Sequence, residues 1–232
     1  MALNILSSLA VERAFATRIL PEFAGQTGLS PHVTWNPTTV LMQKVAGGER
    51  GDVIVLIDHA MNALAEQGIV AAASVRPIAT ATIGLAVAPD AAPLDISSAE
   101  QVRSALLSAR SVAWSRAGAS GGQFHTVLER LGIAEEVLGR ATAIPEGFTA
   151  REIMAGRADM AIQQVSELMT VEGVRILGPL PPELNAETHF SIAAFTDAAN
   201  RAEAEQFIAF ATGAAAHAAY NDCGLISRLE LH

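Results

Sequence analysis

The chain has 232 residues, half of them hydrophobic and 17% charged, with 18 Gly and 10 Pro. That composition excludes disordered, collagenous and low-complexity scaffolds and leaves a globular protein of one large or two small domains. Fifteen Lys+Arg against 24 Asp+Glu give a net charge of −9 with no basic run, which disfavours nucleic acid as a partner, and the single Cys223 excludes an internal disulfide and a Cys-based zinc site.

The start, Met1-Ala2-Leu3-Asn4, carries no Lys or Arg ahead of an apolar segment, so no secretory signal is read there. The expected compartment is the periplasm if a leader was trimmed from this chain, and the cytoplasm otherwise. From Leu3 to Leu6 the pattern predicts a strand; Val11, Ala14, Phe15 and Ile19 then fall at helical spacing, with Gly25 or Gly28 as the stop. A second unit runs from the strand His32–Trp35 into a helix opened by Pro37-Thr38-Thr39 and closed at Gly47-Gly48. A third runs from Val53–Ile57 into a helix ending at Gly68. The alternation predicts βαβ units, a mostly parallel sheet, and three strand ends on one side.

Ser74 to Pro89 is β-rich but too long for one ordinary strand, and reads as a strand that leaves the first sheet for a second lobe. The apolar stretch Gly68 to Ala88 is interrupted by Arg76 and Pro77, so no membrane insertion is expected. The second lobe repeats the alternation: a helix around Val102–Leu107, a strand Ser111–Ser115, a glycine-rich turn, and a helix carrying Phe124, Val127, Leu128 and Leu131 on one stripe. A helix near Ala150–Met154, a strand Asp159–Gln163, a proline-rich turn over 178–182 and a returning strand Thr188–Phe195 follow. The last thirty-odd residues are apolar and helical, and are expected to pack on the first lobe.

Ligands of open α/β sheets bind at the carboxyl ends of strands, where the following helices present unpaired N–H groups. Those junctions hold Ser7 and Ser8; Thr38 and Thr39 after Asn36-Pro37; Asp58 and His59; Arg116, Ser120, Gly121 and Gly122; and Gln163 and Gln164. Hydroxyls, amides and helix tips suit a small anion held with little protein charge. Each junction taken singly is also explained by helix capping, which favours the same residue types. Adjacent glycines at 121 and 122 would allow close backbone approach to a bound group, Arg116 could clamp a carboxylate, and one of the two glutamines should face the ligand. His59 beside Asp58, and His125 near a helix start, are the candidate proton carriers. No Walker A loop, Rossmann fingerprint or metal-ligand spacing occurs, so neither a cofactor nor a metal is expected.

Four segments together carry a resemblance to type II periplasmic binding proteins, specifically the molybdate-binding-protein-like family of ABC-transporter solute receptors. They are Ile5–Ala10; Pro37–Leu41 with Gly51–Leu56; Ser115–Gly122 leading to Leu128–Ile133; and Gly156–Gln164. The resemblance implies two α/β lobes joined by two crossing strands, with the ligand trapped between them. The chain divides on this reading into 1–78 with 194–232, and 79–193. It implies ligand contacts from Ser8, Thr38, Ser120 or Gly121, and the stretch near Gly147. It also implies a small anionic ligand, an ABC-transporter permease as partner, and a monomer. Where the family carries a tyrosine in its last strand this sequence has Gln164, and its only tyrosine is Tyr220. With Arg116 and His125 added, that departure suits an organic carboxylate as well as an oxyanion. Some proteins resembling the family are isomerases that shift a double bond in polycarboxylates such as aconitate, and for that alternative His59, Asp58 and His125 are the candidate bases.

Overall fold

The computed structural model describes residues 3–230; Met1 and Ala2, on which the leader reading partly rests, and the last two residues of the expected first lobe lie outside the described residues. Two compact units emerge: Met1–Ala81 with Thr188–His232, and Thr82–Glu187.

The first unit opens with β1 (Asn4–Ser7), a 3-10 turn Leu9–Val11, α1 (Glu12–Ala14), a π turn Phe15–Ile19 and α2 (Leu20–Thr27). Val11, Ala14, Phe15, Ile19 and Phe23 are buried along this run, and Gly28 stops it in a left-handed conformation at φ 72°. Then come β2 (His32–Trp35), α3 (Thr38–Ala46), β3 (Val53–Ile57), α4 (Asp58–Glu66) and β4 (Arg76–Ala81). The second unit comprises β5 (Ile83–Val87), α5 (Ala99–Ser108), β6 (Val112–Ser115), α6 (Ala119–Leu131), α7 (Ala134–Leu138), β7 (Thr142–Ile144), α8 (Arg151–Met154), β8 (Met160–Gln164), α9 (Val165–Leu168) and β9 (Arg175–Pro179). The chain returns to the first unit through β10 (Thr188–Ala194), α10 (Arg201–Ala211), α11 (Ala214–Asp222) and β11 (Ile226–Ser227).

The sheets are ordered β11-β4-β10-β3-β1-β2 and β7-β6-β8-β5-β9. In both, most strands share one direction. In the first, β2, β1, β3 and β4 run one way, while β10, between β3 and β4, and the edge strand β11 run the other; in the second, β7, β6, β8 and β9 run one way and β5 the other. The long β-rich stretch after Ser74 is two strands, broken at Thr82 where one unit gives way to the other. Residues 188–193 lie in the first unit, because β10 bonds to β3 and β4 along its whole length. Strand β9, whose last two residues fall in the stretch 178–182 read from sequence as a turn, is an edge strand, and an edge tolerates the missing N–H of Pro179.

Each sheet is covered on both faces. In the first unit one core joins α2, α10 and α11 and the other α3 and α4; in the second, one joins α5, α6 and α7 and the other α8. Phe15 meets Phe207 edge-on at 5.8 Å between ring centroids and Tyr220 at 6.4 Å. The Tyr220 hydroxyl, fully buried, donates to the carbonyl of Ala211 at 2.9 Å, and burial pushes its pKa far up. Tyr220→Phe strands that carbonyl, so urea unfolding should show a loss of about 1–2 kcal/mol without a change in ligand affinity.

One device recurs at the amino ends of the parallel strands. Asp52, just before β3, accepts the amide of Asn4 (2.8 Å), which opens β1, and also the backbone (2.8 Å) and side-chain amides (3.1 Å) of Asn200. Asp159, just before β8, accepts the amides of Arg110 (2.9 Å) and Ser111 (2.8 Å), which lead into β6. An ionised carboxylate accepts several bonds at once, so one residue sets where neighbouring parallel strands begin.

Candidate functional site

The opposite, carboxyl ends carry different chemistry. In the first unit, Ser7 lies abreast of Trp35 and Val55; the amide of Asn36 donates to Ser7 O (3.1 Å), and that of Ser8 to Val55 O (3.1 Å). The tips of β1, β2 and β3 are thereby tied side by side. Ser7 and Ser8 are both buried, and the Ser7 hydroxyl makes only a long contact to Ser8 O (3.3 Å). Thr38 opens α3 behind Pro37, which has no donor or side-chain acceptor to give. Among the described residues, Thr38 Oγ1 and Asn36 Oδ1 are shielded from solvent without a hydrogen-bond partner.

In the second unit, Ser115 ends β6 abreast of Ile144, and the β6–β8 register brings the end of β8 alongside. Among the described residues, Ser115 Oγ, Ser120 Oγ, Gln164 Oε1 and Ser166 Oγ are buried with no partner. A buried hydroxyl or amide left unpaired costs roughly 1–3 kcal/mol, so a concentration of them at one end of a sheet requires a reason.

Capping is not that reason. No side-chain cap bond is made at the helix starts following Ser8, Pro37, Ile57, Gly118 or Gln164. Ser98, in front of α5, shows what a cap looks like in this protein: its hydroxyl accepts the amide of Gln101 at 3.3 Å. The tips of α3, α4 and α6 thus carry no N-cap side-chain bond, and each keeps the partial positive charge of a helix start.

Two of the other residues singled out from sequence, Asp58 and Gln163, are engaged within the fold, and several of the rest are exposed. Asp58 accepts the Ser191 hydroxyl (2.6 Å) and Arg228 Nη1 (2.8 Å), an ion pair that ties the tail behind β11 to the tip of β3. His59 is exposed on the first turn of α4, Thr39 on that of α3, and Arg116 and Gly122 are exposed. His125 lies edge-on against the Trp114 ring at 4.8 Å between centroids. Gly121 is required by the fold itself, since a Cβ there would fall 2.2 Å from Ser115 O. Gln163 is spent holding the loop before α8: its Oε1 accepts Thr149 N (2.8 Å) and Oγ1 (3.0 Å), and its Nε2 donates to Gly147 O (2.8 Å). Gly147 itself takes φ 99°, which favours glycine. Of the two glutamines, Gln164 therefore retains an unmatched oxygen. Asn36, Ser115 and Ser166 join the set; Asn36 and Ser115 stand in junctions picked out from sequence, and Ser166, two residues past Gln164, was the one missed.

A groove of about 390 Å³ in the first unit, bounded by Ser74, Arg76, Arg201 and Glu205, lies toward the other end of the strands and contains none of these residues. Among the described residues, no group of three His, Cys, Asp or Glu could hold a metal ion, and no helix is long and apolar enough to cross a membrane.

The family model described as bacterial extracellular solute-binding protein matches residues 3–226. An aconitate isomerase of Pseudomonas sp is 26% identical over 229 residues, covering 96% of this chain and 87% of that protein. Among solved structures, the periplasmic molybdate-binding protein of Azotobacter vinelandii superposes with a TM-score of 0.81 at 18% identity, over 97% of this chain and 98% of that one. The tungstate-binding protein TupA of Desulfovibrio alaskensis does so at 0.66 and 12% identity, over 99% of both chains.

Proposed function

The chain belongs to the bacterial extracellular solute-binding proteins, and we propose that within this family it is a receptor that binds a small oxyanion or carboxylate at uncapped helix tips. The observation that supports this most is the conjunction of buried, unpartnered hydroxyls at Thr38, Ser115 and Ser120 with helix starts that those hydroxyls do not cap. Neutral dipoles and helix termini bind an anion without a counter-charge that would have to be buried with it. Thr38 and Ser8 serve in the first unit, and Ser120, Ser115 and Gln164 in the second. In this reading the protein is a monomer, its compartment the periplasm after removal of a leader, and its partner an ABC-transporter permease.

A thermal-shift series with molybdate, tungstate, sulfate and cis-aconitate tests the reading. A ligand at a hundred times its Kd stabilises by about 2.7 kcal/mol, equivalent to about 5–10 °C for a chain of this size. If none of the four raises the melting temperature, the reading fails.

The curated relative supports a second reading, an isomerase that shifts a double bond in a polycarboxylate by moving a proton. Of its candidate bases, Asp58 has both oxygens engaged by Ser191 and Arg228, which leaves His59 and His125. Incubation with cis-aconitate followed by chromatography separates the two readings: a receptor returns the acid unchanged, whereas an isomerase yields the trans form.

A further inference from the structure

Among the strand-end residues of the first unit, 7–8, 36–39 and 58–59, Asp58 carries the only carboxylate. It follows the tip of β3, three residues past Val55, whose carbonyl accepts the amide of Ser8, so at strand spacing the carboxylate lies about 10 Å from that amide. A negative charge there repels an anion, in a chain whose net charge is already −9. The carboxylate is not engaged by its own helix. No side-chain bond caps α4, and both oxygens turn to other elements, Oδ1 accepting the Ser191 hydroxyl of β10 (2.6 Å) and Oδ2 accepting Arg228 Nη1 (2.8 Å). Arg228 comes to that spot from just beyond the edge strand β11. Its amide donates to Ile78 O on β4 (3.0 Å) and its Nη1 also reaches Phe190 O on β10 (3.4 Å), so the side chain crosses two strands to meet Asp58 after β3. Such a reach orders a flexible side chain, yet the two paired side chains are 28% and 32% exposed, and pairs with that much solvent contribute little to stability. What the pair does achieve is neutrality at the strand tips.

Building on the receptor reading, we infer that Arg228 is a positioning residue that acts on the ligand through Asp58: it cancels the one carboxylate charge at the strand tips of the first unit, so that an anion can settle beside it. Ser191 holds the carboxylate where the guanidinium meets it. Removing the guanidinium alone exposes the ligand to a bare carboxylate, and removing the carboxylate alone leaves a cation that attracts it. The two single changes therefore move affinity in opposite directions. A pair that only fastened the tail would, on losing either partner, disturb binding in the same direction or not at all.

Calorimetric titrations compare the parent with Arg228→Gln, Asp58→Asn and the double variant, using molybdate, tungstate, citrate and cis-aconitate as probes, alongside melting by circular dichroism. For the probe the parent binds best, Arg228→Gln should bind about five- to tenfold more weakly, Asp58→Asn at least as tightly as the parent, and the double variant within about twofold of the parent. The weakening in Arg228→Gln should shrink as salt shortens the Debye length from about 30 Å at 0.01 M to about 8 Å at 0.15 M, which a packing defect would not do. Parent-like affinity in Arg228→Gln at low salt, or failure of Asp58→Asn to restore affinity to Arg228→Gln, overturns the inference while leaving the receptor intact. Should Arg228→Gln melt well below the parent, Asp58→Asn carries the test, and weaker binding by that variant overturns the inference. A parent that binds none of the four probes overturns the receptor reading, and the role of Arg228 with it.

Discussion

Replacing Asp52 by alanine should lower stability by about 3–5 kcal/mol, more than any other polar substitution considered for this protein. The carboxylate is buried and accepts amides from Asn4 and Asn200, which begin β1 and lead into α10. Hydrogen bonds to a charged acceptor are worth about 1.5–3 kcal/mol each, and alanine also strands the donors it leaves behind. The same contacts set a pH dependence. Burial acts to raise the pKa of Asp52, but the hydrogen bonds from Asn4 and Asn200 outweigh it and hold the carboxyl below its ordinary value. A carboxyl depressed in the folded state contributes its full stability above the unfolded pKa of about 3.9, and loses it as pH falls through the lower folded value. Urea midpoints between pH 7 and pH 2.5 should therefore fall in the parent and fall less steeply in Asp52→Ala.

Thr38→Ala should do the reverse, weakening ligand binding about ten- to a hundred-fold while changing urea stability by less than about 0.5 kcal/mol. A capping threonine would cost about 1 kcal/mol on removal. Thr38 Oγ1, however, has no partner among the described residues, so its loss breaks no bond there. The hydroxyl earns its position only when a ligand oxygen accepts from it. A stability loss of about 1 kcal/mol with unchanged affinity would instead mark Thr38 as a helix-start residue without a ligand role.

Much of the architecture was legible because it rests on periodicity. The run Val11, Ala14, Phe15, Ile19 and the stripe Phe124, Val127, Leu128 announced their helices, and Pro37 before Thr38 announced the start of α3. Strands β7 and β9 were not legible, one having three residues and the other ending at a proline in a stretch that reads as a turn. The reversed direction of β10, between β3 and β4, was hidden for another reason: composition does not record which way a strand runs.

At the site, residue types at strand tips were readable but their commitments were not. Nothing local distinguishes Gln163 from Gln164; the alternation of β8 turns the first toward the loop at Gly147 and Thr149 and leaves the second unmatched. Asp58 looked available because its partner Arg228 lies 170 residues away along the chain. Gly121 read as a point of close approach to a ligand, and only the packing of α6 on Ser115 shows that the backbone itself needs it.

Calorimetric titration of the parent, Thr38→Ala and Ser120→Ala with whichever anion stabilises the protein most tests the central claim. Both hydroxyl variants should bind that anion more weakly than the parent. An affinity indifferent to both hydroxyls would contradict it.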